Sequence, residues 1–334
     1  MNCEILHTLY VRSNGDVPCN DDAGENVLVG IIRPQLDRWS ATALLTNHRY
    51  RHIRDALREE RKPWPAVCDR CAFFRPNEPL ADPLREKRLR KLQVEPSLAC
   101  RLRCPGCANF ADARVRLPRR HMDLGMFERI LRSLREERYA IGEFEYCGQG
   151  EPLMHPNFPA LVDLAREYFP ASPQRLITSG NFDFHTETAG RRIDEIMVSC
   201  DGVGQENYAR QRVRGDVTQA LRFLRDAAAT AIGAGTRVVW KYILFEWNDS
   251  EAEIAAAEHL AAEFGVSELL FVYTHSAGKS RRYTLENHGD FPARSSLVVT
   301  NPTPIHYQNP PQPVPSLTNL GAQPEAGDEK PRAA

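Results

Sequence analysis

Three cysteines stand close together in the run CRLRCPGC: Cys100, Cys104 and Cys107, spaced Cys-x3-Cys-x2-Cys. Three soft thiolates in so short a loop suit an iron–sulfur cluster better than a hard cation, because thiolate softness selects Fe–S, Zn or Cu(I). Zinc would usually ask for a fourth protein ligand. A 4Fe–4S cluster on three thiolates keeps one iron open, and an open iron can bind a small molecule. A second set, Cys3, Cys19, Cys68 and Cys71, ends in a Cys-x2-Cys pair. Its spacings fit a four-thiolate zinc site as well as a fully ligated cluster, and the sequence does not choose between them. Cys147 adjoins the turn CGQGEP, and Cys200 closes the apolar run IMVSC. A thiol there could return a hydrogen atom to a substrate radical, and a free cysteine also packs as a small hydrophobe. Lys241 and Glu246 are charges inside the apolar run WKYILFE, where a half-buried strand does not place them freely.

These residues need elements to hold them. Residues 3–22 read as a hairpin: alternating Ile5, His7, Leu9 and Val11, a turn at Asn14-Gly15, then Val17 leading to Cys19. Asn-Gly favours a tight hairpin turn, which would bring Cys3 and Cys19 together at the open end. The spacing of Leu44, Leu45, His48, Ile53 and Leu57 predicts a helix over 40–60, closed by Pro63 and Pro65 just before Cys68. Residues 76–91 read as a linker with a charged helical turn. Beyond the three-cysteine loop, strands and amphipathic helices alternate, the pattern of a parallel α/β sheet. Strands are expected over 92–96, 143–147, 174–178, 195–200, 236–245 and 267–273. Helices are expected over 123–139 with Asp123 as cap, 156–168, 217–232, and 250–264 between Ser250 and Gly265.

The Cys-x3-Cys-x2-Cys loop resembles the signature of the radical S-adenosylmethionine (radical SAM) superfamily. The resemblance implies that the open iron chelates the amino and carboxylate groups of SAM, and that one electron then cleaves SAM to a 5′-deoxyadenosyl radical that takes a substrate hydrogen. The family usually has an aromatic residue where this chain has Gly106, so an adenine contact would fall to another group such as Phe110. The turn CGQGEP resembles the family's GGE motif, with Gly148, Gly150 and Glu151 matching and Gln149 in place of the middle glycine. The resemblance assigns these residues to the SAM amino group. It also points to Ser179 and Asn181, and to Ser199 and Asp201, for ribose, carboxylate or substrate contacts. The implied fold is α/β, a partial (β/α)6 radical SAM barrel over 91–280 with its site at the carboxyl ends of the strands, as in closed barrels. The run LYVRSNGDVPC with the later Cys-x2-Cys resembles the SPASM and twitch modules, which would make 1–90 a small α+β module holding an auxiliary 4Fe–4S cluster. Residues 281–300 would be a lid or closing segment. The Pro-rich stretch 301–334 reads as a disordered tail.

The chain has 334 residues and a net charge of -1, so composition leaves no electrostatic footprint for nucleic acid. The first residues lack the basic and apolar pattern of an export signal, and no apolar run reaches the ~18 residues of a membrane span. A cytoplasmic protein is expected, with nine cysteines serving metal or redox chemistry rather than disulfides. The expected function is a radical SAM enzyme of oxidoreductase type, dehydrogenating a small molecule such as a sugar or aminocyclitol. Cys147, Cys200 and Lys241 are the candidate catalytic residues, and flavodoxin or ferredoxin the electron donor. The alternatives are a redox-neutral epimerase, a peptide-modifying enzyme, and a zinc or Fe–S binding protein without catalysis.

Overall fold

The computed structural model describes residues 1–21, 27–32, 39–69, 71, 73–107, 121–274, 276–284, 286–287, 291–292 and 294–305. Eight strands form one sheet: β1 (Thr8–Val11), β2 (Arg88–Val94), β3 (Ala140–Tyr146), β4 (Gln174–Thr178), β5 (Glu195–Ser199), β6 (Arg237–Ile243), β7 (Glu268–Thr274) and β8 (Val298–Ile305). They lie in sequence order, and every neighbouring pair is parallel. Parallel neighbours need crossovers, and the helices Leu124–Glu136, Phe158–Tyr168, Val217–Ala231 and Glu251–Phe264 supply them. Asp123 and Ser250 cap two of these helices with their side chains, and Gly265 ends the last at a φ of 73°. The fold is α/β, as expected, and the six expected strands are its middle six.

Period-two alternation gives the sheet two unlike faces. One carries Leu92, Val94, Phe144, Tyr146, Leu176, Val198, Trp240 and Phe271, buried in the main core with the helices. The other carries Lys91, Glu145, Arg175, Glu195 and Lys241. There Glu145 is paired with Lys91 at 3.0 Å and with Arg175 at 3.3 Å, and Arg175 reaches Glu195 at 2.6 Å.

Several sequence expectations change. The arms of the expected hairpin do not pair with each other: β1 pairs with β2, while Asp16–Pro18 pairs antiparallel with Leu28–Ile31. The turn between them survives, with the Arg12 N–H donating to the Asp16 carbonyl and Gly15 at a φ of 86°. A Cβ on Gly15 would lie 2.0 Å from the Ile32 carbonyl oxygen. The expected helix over 40–60 is two, Ala41–Leu45 and His48–Arg58, because Asn47 caps the second by accepting from the N–H groups of Arg49 and Tyr50. The charged end of the expected linker is strand: Arg88 and Arg90 point outward and Leu89 is buried, a period of two hidden by dense charge. β8 starts at Val298 and continues to Ile305, across the boundary expected at residue 301. Residues 306–334 lie outside the described residues.

Candidate active site

The three-cysteine loop leaves the carboxyl end of β2 and is held from both sides. The buried Leu98 and Leu102 anchor it, the Arg103 N–H donates to the Val213 carbonyl, and the Glu151 N–H donates to the Ala99 carbonyl. Gly106 sits at a φ of 75°, in the left-handed region, while the Cys107 N–H closes back on the Cys104 carbonyl. That backbone disfavours any side chain at 106, which gives the missing aromatic residue a local cause. Phe110 lies outside the described residues. Burial pushes the Cys100 thiol up to about 12, and the nearby Glu151 carboxylate adds to it. Burial also raises Cys104, opposed by Arg212.

The glycine turn after β3 packs tightly against this loop. A Cβ on Gly148 would lie 2.5 Å from the Glu95 side chain, and one on Gly150 would lie 2.1 Å from the Ser97 carbonyl oxygen. Both positions therefore need glycine. Glu151, 4% exposed, is already satisfied by protein: its carboxylate accepts from the Leu153 N–H at 3.2 Å, the Thr178 hydroxyl at 2.7 Å, and the Ser179 N–H and hydroxyl at 2.9 and 2.7 Å. An ammonium arriving here meets lone pairs already in use. In this structure Glu151 and Ser179 position the loops.

Asp201 and Asn181 are likewise engaged. Asp201, fully buried, accepts from Arg212 Nε at 2.7 Å and from the Ile243 N–H at 2.8 Å. Arg212 in turn reaches the Cys104 sulfur at 3.9 Å. Asp201 thus holds a cation against Cys104, with its carboxylate already engaged by protein donors. The Asn181 amide donates to the Tyr208 hydroxyl at 2.6 Å and its oxygen accepts from the Asp216 N–H at 2.7 Å, so it too serves the framework. Ser199 is 6% exposed, at the carboxyl end of β5, and pairs in register with Lys241.

The two remaining cysteines part company. Cys147 follows Glu143 and Glu145 on the polar face, half-buried; burial pushes its thiol up, Glu145 adds to this, and Lys241 and Lys91 oppose it. Cys200 shares the face of Ile196 and Val198, is wholly buried in the main core, and donates to the Gly202 carbonyl at 3.4 Å. It cannot meet a substrate there. Lys241 is half-buried on the polar face and makes no ion pair among the described residues.

The N-terminal cysteines come together as their spacing suggested. Cys3, Cys19, Cys68 and Cys71 line one cavity with Ile5, Ile53, Trp64, Val67 and Phe74. Pairing of Asn2–Cys3 with Phe74–Arg75 replaces the expected hairpin as the device that brings Cys3 in. Burial pushes the Cys3 and Cys19 thiols up to about 12 each. N–H donors are turned toward sulfur: Val27 N–H to Cys19 at 3.2 Å and the Asn20 amide to Cys71 at 3.6 Å. Among the described residues, no three His, Cys, Asp or Glu side chains converge tightly enough to enclose a single metal ion.

Residues 94–253 match the profile of the Radical SAM superfamily. The chain carries a radical SAM domain. Solved structures similar to it include SuiB from Streptococcus suis, at a TM-score of 0.48 and 15% identity, covering 63% of this chain and 49% of that one. A radical SAM methyltransferase from Sphaerobacter thermophilus has a TM-score of 0.49 and 18% identity, covering 63% and 65%. Native anSMEcpe with bound AdoMet and Cp18Cys peptide has a TM-score of 0.44 and 16% identity, covering 60% and 57%. The chain therefore spans about half to two thirds of the length of these proteins. No curated protein matches it. The radical SAM domain implies a 4Fe–4S cluster and SAM, and the three-cysteine loop fits the cluster: its thiols share one pinned loop and a guanidinium faces one sulfur. No helix among the described residues is long and apolar enough to cross a membrane.

Sequence reasoning passed over two residues at this site. Glu95, 1% exposed, accepts from the Tyr10 hydroxyl, the Ser13 N–H and hydroxyl, and the Gln149 N–H, and so ties the glycine turn to the end of β1. Its signal was a carboxylate in the apolar run LQVEP. Arg212 lies in a polar stretch, RQRVRG, that offers no local signal.

Proposed function

We propose that this radical SAM enzyme removes two electrons from a small polar substrate and holds a second iron–sulfur cluster to receive one of them. Cys100, Cys104 and Cys107 would hold the cluster that, with SAM bound, supplies a 5′-deoxyadenosyl radical to take a hydrogen atom from the substrate. The observation that carries the two-electron reading is the N-terminal cavity lined by four sulfurs. Four cysteines around one cavity give each iron of a 4Fe–4S cluster its own thiolate. Such a fully ligated cluster would supply an electron acceptor.

The chain's own residues give the substrate a polar wall. Lys241 and Ser199 are register partners near the carboxyl ends of their strands, and Lys241 suits an oxygen-bearing or anionic group. Glu145, Lys91 and Arg175 neutralise one another deeper on that face. Oxidation of a carbon bearing a hydroxyl or amine then releases one hydrogen atom, one proton and one electron. Flavodoxin or ferredoxin is the proposed source of the electron for SAM cleavage.

Anaerobic iron and sulfide analysis tests this: about eight irons per chain are expected, and about four irons, or zinc in place of iron, would remove the acceptor. One observation favours a second reading. Cys147 faces the polar side, where it could return a hydrogen atom in an epimerisation. With a substrate in deuterated buffer, a product two mass units lighter supports oxidation. One deuterium gained, and absent in Cys147→Ala, selects the epimerase.

A further inference from the structure

Arg212 follows the helix Gln205–Gln211, and its N–H donates to the Tyr208 carbonyl to end that helix. From there the segment meets the three-cysteine loop twice. The Val213 carbonyl accepts from the Arg103 N–H at 2.9 Å, and Arg212 Nη1 reaches the Cys104 sulfur at 3.9 Å. The first contact is main chain and fixes the approach. The second brings a permanently charged guanidinium to one of the three clustered thiols.

The charge is held in place from behind. The Arg212 side chain is 11% exposed and that of Asp201 is 0% exposed. Asp201 gives one oxygen to Arg212 Nε at 2.7 Å and the other to the Ile243 N–H at 2.8 Å, while the Asn248 amide holds its main-chain carbonyl at 2.9 Å. Guanidinium and carboxylate often meet through two parallel hydrogen bonds. Here the Ile243 N–H takes the second carboxylate oxygen, and Nη1 turns to sulfur. A buried ion pair adds little stability over an apolar pair of the same shape, so stability alone gives no reason to bury these charges. After burial, Arg212 is the strongest influence on the Cys104 thiol, ahead of the opposing Asp201. The pair therefore sets a net positive field at that sulfur.

We propose that Arg212, fixed by Asp201, donates to the Cys104 thiolate of the SAM-binding cluster and makes that cluster easier to reduce. This rests on Cys100, Cys104 and Cys107 holding that cluster. One electron, from the flavodoxin or ferredoxin proposed above, takes the cluster from its oxidised to its reduced state and adds one negative charge beside the guanidinium. A fixed cation and a hydrogen bond to sulfur both favour the state with more negative charge, so both raise the potential. Asp201 acts through Arg212 and is a positioning residue.

The test uses the full chain as holoenzyme and reads the cluster whose electron paramagnetic resonance signal changes when SAM is added, since a cluster with an open iron is the one that responds. Arg212→Gln removes the charge and keeps a donor. Iron content equal to that of the unsubstituted chain is expected, with the ratio of reduced to oxidised cluster at a fixed potential lowered about tenfold, a shift of about 59 mV to more negative values for one electron. Arg212→Lys should recover part of the shift. An unchanged potential overturns the proposal, and weaker SAM binding at an unchanged potential would make Arg212 a contact to SAM instead. Iron lost from Arg212→Gln also overturns it, because the arginine would then hold the loop together. An unsubstituted chain with no SAM-responsive signal removes the cluster itself, and the role of Arg212 with it.

Discussion

The Glu151 carboxylate accepts four hydrogen bonds from two segments of chain, while its N–H joins a third, the cysteine loop. A buried anion with all its lone pairs in use is a joint, and charged hydrogen bonds are worth about 1.5–3 kcal/mol each. Glu151→Gln keeps the shape but turns an amide toward donors. A loss of about 1.5–3 kcal/mol in urea unfolding is expected, together with weaker SAM binding because the loop moves. Unchanged stability with weaker SAM binding would mean that the carboxylate meets the ligand directly. Cys200 and Cys147 make a contrasting pair. Cys200→Ala removes one buried sulfur, costs about 1 kcal/mol, and should leave SAM cleavage and the product unchanged. Cys147→Ala should leave stability nearly unchanged, and a product ratio that shifts only in Cys147→Ala would place that thiol at the substrate.

At the scale of elements, the glycine turn after β3 and the cysteine loop after β2 act as one body. Gly150 leaves no room for a Cβ against the Ser97 carbonyl, whose backbone cannot yield as a flexible side chain would. Gly150→Ala should therefore push the cysteine loop away and lower iron at the three-cysteine site, while the N-terminal site keeps its share. Equal iron loss at both sites, or none, contradicts this. The turn was legible because its chemistry is local: two glycines and a carboxylate within four residues at a strand end. The middle strands and the caps at Asp123 and Ser250 were legible for the same reason, since period and capping are short-range. What sequence could not supply was long-range choice of partner. Nothing in residues 3–22 says that β1 prefers β2 to its own hairpin arm, and nothing at Asp201 says that a guanidinium eleven positions later will claim it. Asn47 was a different failure. It is a strong capping residue inside an apolar period, and the period concealed it.

Across the whole molecule, the division of the sequence near residue 90 does not interrupt the core. Ile5, Leu9, Val11, Val29, Leu44 and Ile53 belong to the same buried cluster as Leu92, Phe144, Trp240 and Phe271. The first residues also donate an edge strand to the sheet, and the Glu95 carboxylate links Tyr10 and Ser13 to the Gln149 turn. The two cysteine sets nevertheless share no ligand: one is a loop after β2, the other is built from the termini of short elements before it. Shared packing with separate ligands makes a sharp expectation. Replacing Cys100, Cys104 and Cys107 with alanine should abolish reductive SAM cleavage, followed as 5′-deoxyadenosine, and leave about half of the iron in a chain whose unfolding remains a single transition, because none of the three cysteines belongs to the continuous buried cluster. Loss of all iron would show one shared centre in place of two. Cleavage that survives would overturn the assignment of the three thiols to the SAM-binding cluster.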